Sequence, residues 1–470
     1  MGRNRKKKKI IIEDLEVFEL ADKGRGIAKD VEGRIIFIER VVPGDIVDVQ
    51  VTKKKKSFLQ AFPIHFKKMS DIRIEPMCKH FEHCGGCTLQ NIPYEKQLEF
   101  KENNVIQVLN RIGKIYPEEV VPILPAPAIE FYRNKLEFSF SNKRWLTNEE
   151  MVSGITNEED VLGFHRAGAF DKILNIDQCH LQGGPSNDLR NSIKQIAIDF
   201  GFSFYDARAQ KGVMRNIMVK TSSLGGCMLM LSINLHDEEK INKFLKVVIE
   251  KNPKLTSVYY CINDKLNDFM MDLEMVHVHG KPYIEETLRD VKFRIGPKSF
   301  FQTNPKQAER LFNVVESFAE LSGAENVYDL YTGIGSIALY IAHKCKQVVG
   351  IEEVEAAIVD AKENMEQNNI TNTVFYAGDV KDILTDSFAE QHGRPDILIT
   401  DPPRAGMHTK VVEMLLTLAA PKLIYVSCNP GTQARDLALL SEKYTVTKSQ
   451  AVDMFPHTHH IENVVLLTLK

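Results

Sequence analysis

Long apolar runs are missing from this sequence. Across 470 residues no stretch approaches the roughly 18 apolar residues that a membrane-spanning helix needs, so no membrane function is expected. The opening MGRNRKKKKI is basic but has no apolar segment behind it, unlike a secretory leader, and a cytoplasmic location is expected. Eight cysteines in such a chain argue against a disulfide scaffold. Internal repeats and long low-complexity segments are absent too. What remains is ordinary globular composition, 43% hydrophobic and 26% charged, at a length that suggests about two to four domains.

Charge of one sign is also scarce overall, with a net of -3, but it is unevenly distributed. Residues 1–70 hold 17 Lys/Arg against 10 Asp/Glu, a net of +7, which leaves -10 for the other 400. A basic end on an acidic body points to a polyanion gripped by that end. For Arg3 to Lys9 a merely solvated tail is an equal alternative.

After a basic tail at 1–12, residues 13–68 alternate apolar and polar side chains in short runs broken by turn signals such as Val42-Pro43-Gly44-Asp45. This pattern predicts a five-stranded barrel of the OB type. It resembles a TRAM domain, an RNA-binding barrel. Residues 94–112 carry apolar side chains at helical spacing, and the proline-rich VVPILPAPAIEF at 120–131 reads as a joint. Residues 69–290 form a central α+β region. From 291 to 470 apolar strands alternate with helices, which predicts a mostly parallel, doubly wound α/β sheet of Rossmann type.

In such a sheet a ligand sits at the carboxyl ends of the strands. The turn Asp329-Leu330-Tyr331-Thr332-Gly333-Ile334-Gly335-Ser336 joins a strand to a helix there, and Glu352 ends the next strand where an acid can bond ribose hydroxyls. A dinucleotide would suit the same turn. The lack of a third glycine, the Asp401-Pro402-Pro403-Arg404 motif and two adjacent closing β segments favour S-adenosylmethionine instead.

The strand KLIYVSC brings Cys428 to the same edge, ahead of a helix start that can favour a thiolate. A strand cysteine is most often a small buried hydrophobe. Attack on a poorly electrophilic carbon needs the thiolate rather than the thiol.

Phe301-Gln302-Thr303-Asn304, the glycine turn, Asp401-Pro402-Pro403-Arg404, Ser427-Cys428-Asn429-Pro430 and Pro456-x-Thr458-x-His460-x-Glu462 together resemble the RNA 5-methyluridine methyltransferase family. The resemblance covers nearly the whole chain. It implies a class I methyltransferase domain, Cys428 as nucleophile and Glu462 as the base that takes the C5 proton. It further implies cofactor contacts from Gln302, Tyr331, Ser336, Glu352, Asp379 and Asp401, and packing of helix 94–112 on the catalytic domain. His460 reads as an orienting or RNA-contacting group.

Cys78-x5-Cys84-Gly85-Gly86-Cys87 supplies three thiols and Cys179 a distant fourth, a set that suits a [4Fe-4S] cluster. Tetrahedral zinc uses the same ligands. A radical enzyme is less favoured, since the C-x3-C-x2-C pattern is absent. The spacing resembles the branch of the family that acts on large-subunit (23S) ribosomal RNA. Transfer RNA is the alternative substrate, and a non-catalytic RNA-binding ribosome-assembly factor the alternative function. A monomer is expected.

Overall fold

The computed structural model describes residues 10–166, 168–169 and 171–470. The basic block from Arg3 to Lys9 lies outside the described residues.

Strands Ile11–Glu16, Glu19–Ala21, Arg25–Lys29, Ile35–Ile38, Ile46–Lys54 and Phe58–Lys68 form one sheet. That is one strand more than the five expected, because the three-residue Glu19–Ala21 pairs with Arg25–Lys29. The period-two pattern turns Ile36, Ile38, Val47, Val49 and Leu59 onto a shared core. The Val42-Pro43-Gly44-Asp45 turn holds because the buried Asp45 carboxylate accepts from the N–H of Val42 (2.7 Å) and of Ser70 (2.9 Å). Gly44, at φ 91°, takes the left-handed position the turn needs. Leu20 and Val42 then pack with Leu89 and Ile92, tying the barrel to the segment just after the cysteines.

The central region is a seven-stranded sheet ordered Ile173–Asn175, Glu158–His165, Lys135–Lys143, Met214–Thr221, Cys227–Ile233, Ser257–Ile262, Val276–Gly280. Helices Ser186–Asp199 and Glu238–Lys251 bury Leu189, Ile193, Phe244 and Leu245 in its core, each worth roughly 1.5–3 kcal/mol. The hairpin Ile284–Leu288/Val291–Ile295 straddles position 290 and gives Ile284, Leu288, Phe293 and Ile295 to the next core.

The third sheet runs Thr373–Ala377, Gln347–Glu352, Asn326–Leu330, Ile397–Thr400, Lys422–Ser427, Glu462–Leu469, Tyr444–Val452, Glu119–Leu124. The first five are parallel, and Glu462–Leu469 runs antiparallel between its neighbours. Strand residues alternate between two cores. Val327, Ile399 and Val426 pack on one face, and Tyr328, Leu398 and Tyr425 on the other. The doubly wound architecture is therefore as expected.

The proline-rich joint is not only a linker, since its Glu119–Leu124 pairs in parallel with Tyr444–Val452 at the sheet edge. An edge position tolerates Pro122, which lacks a ladder N–H. Helix Tyr94–Val108 ends in one wide turn, Leu109–Gly113. A side chain at Gly113 would put its Cβ 2.7 Å from the Ala434 carbonyl oxygen, so the turn lies flush on helix Pro430–Leu440.

Candidate active site

The carboxyl ends of five parallel strands collect the residues singled out in the sequence. Tyr331 follows Asn326–Leu330, Glu352 ends Gln347–Glu352, and Asp379 lies two residues beyond Thr373–Ala377. Asp401 follows Ile397–Thr400, and Cys428 follows Lys422–Ser427. Strand Glu462–Leu469 runs the other way, with Asn463 opposite Ser427. Its first residue, Glu462, therefore stands at the same edge as Cys428.

Burial, then the charges of Glu462 and Asp401, push the Cys428 thiol up to about 11, against a hydrogen bond and the positive charge of Arg404. This corrects the expectation of a thiolate favoured by the following helix. The first turn of helix Pro430–Leu440 is occupied by its own cap, Asn429, which accepts from the Gly431 N–H at 3.1 Å. Burial of the sulfur leads this upward push, and Glu462 and Asp401 add to it.

Glu462 is only 6% exposed. Burial first, and Asp401 second, raise its carboxyl well above the ordinary value, with Arg404 opposing. Its position at a strand start suggests a solvated edge residue, but that strand is interior to the sheet. Asp401 is pushed up to about 7 by burial and by Asp329. Burial likewise takes Asp329 to about 7, although Thr332 Oγ1 (2.5 Å) and the Ala338 N–H (3.1 Å) both donate to it.

Arg404 links these groups. Its Nη2 lies 3.0 Å from His460 Nδ1, and its carbonyl accepts from Asn429 Nδ2 (3.0 Å) and Thr432 Oγ1 (3.2 Å). Burial, His459 and Arg404 lower His460 to about 3, so the ring is neutral and its Nδ1 accepts from the guanidinium.

The loop leading to Glu462 is held from outside the catalytic sheet. Lys101 Nζ donates to Asp453 Oδ1 at 2.6 Å and Tyr94 Oη to Asp453 Oδ2 at 2.8 Å. The His457 N–H donates to Gln97 Oε1 at 2.9 Å. The His457 carbonyl accepts from the Thr88 and Leu89 N–H groups at 2.8 and 3.0 Å. Tyr132 Oη donates to the Pro456 carbonyl at 2.9 Å.

Gly333 and Gly335 adopt φ 57° and 80°. A Cβ on Gly333 would meet nothing within 4 Å, so this backbone faces open space. Glu352 steadies the turn by accepting from the N–H of Gly333 (3.1 Å) and of Val354 (3.0 Å). Tyr331 is strained at φ 64°, and burial with Asp379 and neighbouring acids raises its hydroxyl to about 12. Ser336 opens helix Ser336–Ile341. Asp379 caps Val380–Ile383 and pairs with Lys381. Gln302 lies just before helix Pro305–Ala319, its carbonyl accepting from Asn134 Nδ2 at 3.2 Å. Open glycine backbone beside Glu352 and Asp379 fits an adenosyl ligand.

Cys78, Cys84 and Cys87 lie in the segment after the barrel, and the buried Cys179 precedes helix Ser186–Asp199. The thiols of Cys84 and Cys87 are pushed up to about 11 and about 12, chiefly by burial, and each feels Cys78 and Cys179. The His80 N–H points to Cys78, that of Gly86 to Cys84, and those of Leu181 and Gln182 to Cys179. Among the described residues, no three His, Cys, Asp or Glu side chains close on a single metal-ion position.

Sequence reasoning quoted Arg404 and Asp329 within motifs but gave them no role. It missed Tyr94, Gln97, Lys101 and Asp453. No spacing rule could join Lys101 to Asp453, which are 352 positions apart.

A tRNA (uracil-5-)-methyltransferase family model matches residues 274–470, and the TRAM domain model matches residues 3–63. A Bacteroides thetaiotaomicron protein described as an uncharacterized RNA methyltransferase is 48% identical over 455 residues, covering 96% of this chain and 100% of that one. A Chlorobaculum tepidum protein with the same description is 37% identical, covering 96% and 95%. The crystal structure of Pyrococcus abyssi tRNA (uracil-54, C5)-methyltransferase in complex with S-adenosyl-L-homocysteine superposes with a TM-score of 0.74 at 28% identity, covering 97% of this chain and 100% of that one.

Proposed function

Because this chain belongs to the tRNA (uracil-5-)-methyltransferase family, as an S-adenosylmethionine-dependent RNA uracil-C5 methyltransferase, we propose that it acts through a covalent bond between Cys428 and C6 of the target uridine. The observation that carries this reading is the convergence of Cys428, Glu462 and Arg404 at one strand edge. The target base leaves its RNA stack to reach that edge. Arg404 favours the thiolate of Cys428, whose proton passes to solvent; the S–C6 bond forms, and the electron pair of the C5–C6 double bond becomes available at C5. S-adenosylmethionine, when bound, would supply an electrophilic methyl group to C5 and be left as its neutral thioether. Glu462, a stronger base for being buried, then removes the C5 proton so that the sulfur can leave. Gln302, Tyr331, Ser336, Glu352, Asp379 and Asp401 hold the cofactor. Trapping of RNA that carries 5-fluorouridine tests the covalent step.

Cys78, Cys84, Cys87 and Cys179 hold a [4Fe-4S] cluster in this reading. Each of the four thiols has an N–H or amide donor beside it, as cluster sulfurs use. The substrate is 23S ribosomal RNA, a choice supported by the resemblance of the cysteine spacing to that branch of the family. Transfer RNA is the second reading, favoured by the substrate named for the Pyrococcus abyssi structure. Mapping 5-methyluridine in ribosomal and transfer RNA from a deletion strain decides between them.

A further inference from the structure

Where the barrel meets the central sheet, two arginines that the mechanism does not use come together. Arg166 follows strand Glu158–His165 and is bridged through its backbone to Cys84. Its guanidinium lies over the ring of Trp145, 4.9 Å from the centroid. The ring of His83 lies 4.4 Å from the Trp145 ring. Arg40, on the barrel two residues before the Val42 that packs against the post-cysteine segment, lies close enough to feel the charge of Arg166.

Among the described residues, neither Arg40 nor Arg166 makes an ion pair with a carboxylate. Arg166 Nε and His83 Nδ1 are buried without hydrogen-bond partners. Burial and the positive charge of Arg166 lower Arg40 below the usual guanidinium value, and the attraction of Glu39 and Glu82 does not offset them. Two like charges held together beside unsatisfied donors are relieved by an anion.

We propose that Arg40 and Arg166 clamp a phosphodiester of the RNA substrate at the junction of the barrel and the central sheet, with Trp145 and His83 as the shelf that holds Arg166 in place. The proposal rests on the RNA methyltransferase reading and adds a backbone contact away from the catalytic edge. The Arg166 guanidinium over the indole gives Trp145 the job of aiming that charge. One such contact on the barrel and one on the central sheet fix how the RNA strand crosses between them.

Trp145 is the single tryptophan of the chain, so its fluorescence reports on this place alone. Titrating full-length protein with single-stranded oligouridylate should shift or quench the emission with the same midpoint as RNA binding by anisotropy. Arg40→Gln and Arg166→Gln should each weaken binding and lower the log–log salt slope by about one. Arg166→Lys, a control for folding, should keep most of the slope. Inorganic phosphate at the same phosphate concentration should leave the emission unchanged. Unchanged emission at saturating RNA, in protein that still binds and methylates RNA, overturns the clamp and leaves the enzymatic reading standing. An equal response to inorganic phosphate also overturns it, in favour of a small-anion site. Failure to bind or methylate any RNA removes both.

Discussion

Lys101 and Asp453 form an ion pair of 2.6 Å with side chains 3% and 0% exposed, joining helix Tyr94–Val108 to the loop that leads into Glu462. Removing one partner of such a pair strands the other charge in the protein interior. Lys101→Met should therefore cost about 3–5 kcal/mol of stability, read by chemical denaturation. Lys101→Met with Asp453→Leu, which removes both charges, should recover part of that loss. Equal losses in the single and double variants would show that packing, not charge, is what the pair supplies.

Cys428→Ala should abolish methyl transfer while leaving cofactor binding intact. Wild-type protein given RNA with 5-fluorouridine at the target should form an adduct that survives denaturation, because fluorine cannot depart as a proton. Methylation by Cys428→Ala would falsify the covalent mechanism.

The thiol of free Cys428 stands at about 11. Its thiolate fraction thus rises about tenfold per pH unit across the neutral and mildly alkaline range. Alkylation of Cys428, followed by mass spectrometry, should accelerate with that slope from pH 7 to pH 9. Arg404 is the group that favours the thiolate, so Arg404→Gln should move the thiol further up and slow alkylation at every pH in that window. A plateau below pH 8 would contradict the assignment.

Glu462→Gln keeps the size of the side chain and some of its hydrogen bonding but has no useful basicity. Cofactor binding and methyl transfer should continue, while release stalls with methylated RNA bound to about one equivalent of enzyme. Normal turnover by this variant would move the base elsewhere. Failure to form any adduct would place Glu462 at an earlier step.

Anaerobically purified protein should be brown and contain iron together with acid-labile sulfide. Replacement of Cys179 by Ser should lower both and reduce the melting temperature more than it weakens cofactor binding, since the four cysteines lie outside the catalytic sheet. Zinc without sulfide would exclude the cluster.

The doubly wound sheet was legible because alternating helices and apolar strands leave a periodic record in the chain. The same record placed Cys428, Asp401 and Glu352 at one edge, since a strand end followed by a helix has a direction. Two things were not legible. The protonation of Cys428 depends on Glu462 and Asp401 arriving beside it, and no local window contains all three. The extra strand Glu19–Ala21 is too short to carry a period. The joint at 120–131 misled through its prolines, which also suit an edge strand.

That edge strand bears on how the protein is made. Glu119–Leu124 finds its partner Tyr444–Val452 only after another 320 residues have been added, from 124 to 444. At about 5–20 residues per second, the early strand waits roughly 16–64 s on the ribosome with its pairing groups open. Glu118, Glu119 and Pro122 are the kinds of residue that keep a waiting strand from pairing with the wrong one. A fragment beginning at residue 291 would leave Tyr444–Val452 as a bare edge, so that part expressed by itself is expected to aggregate through it.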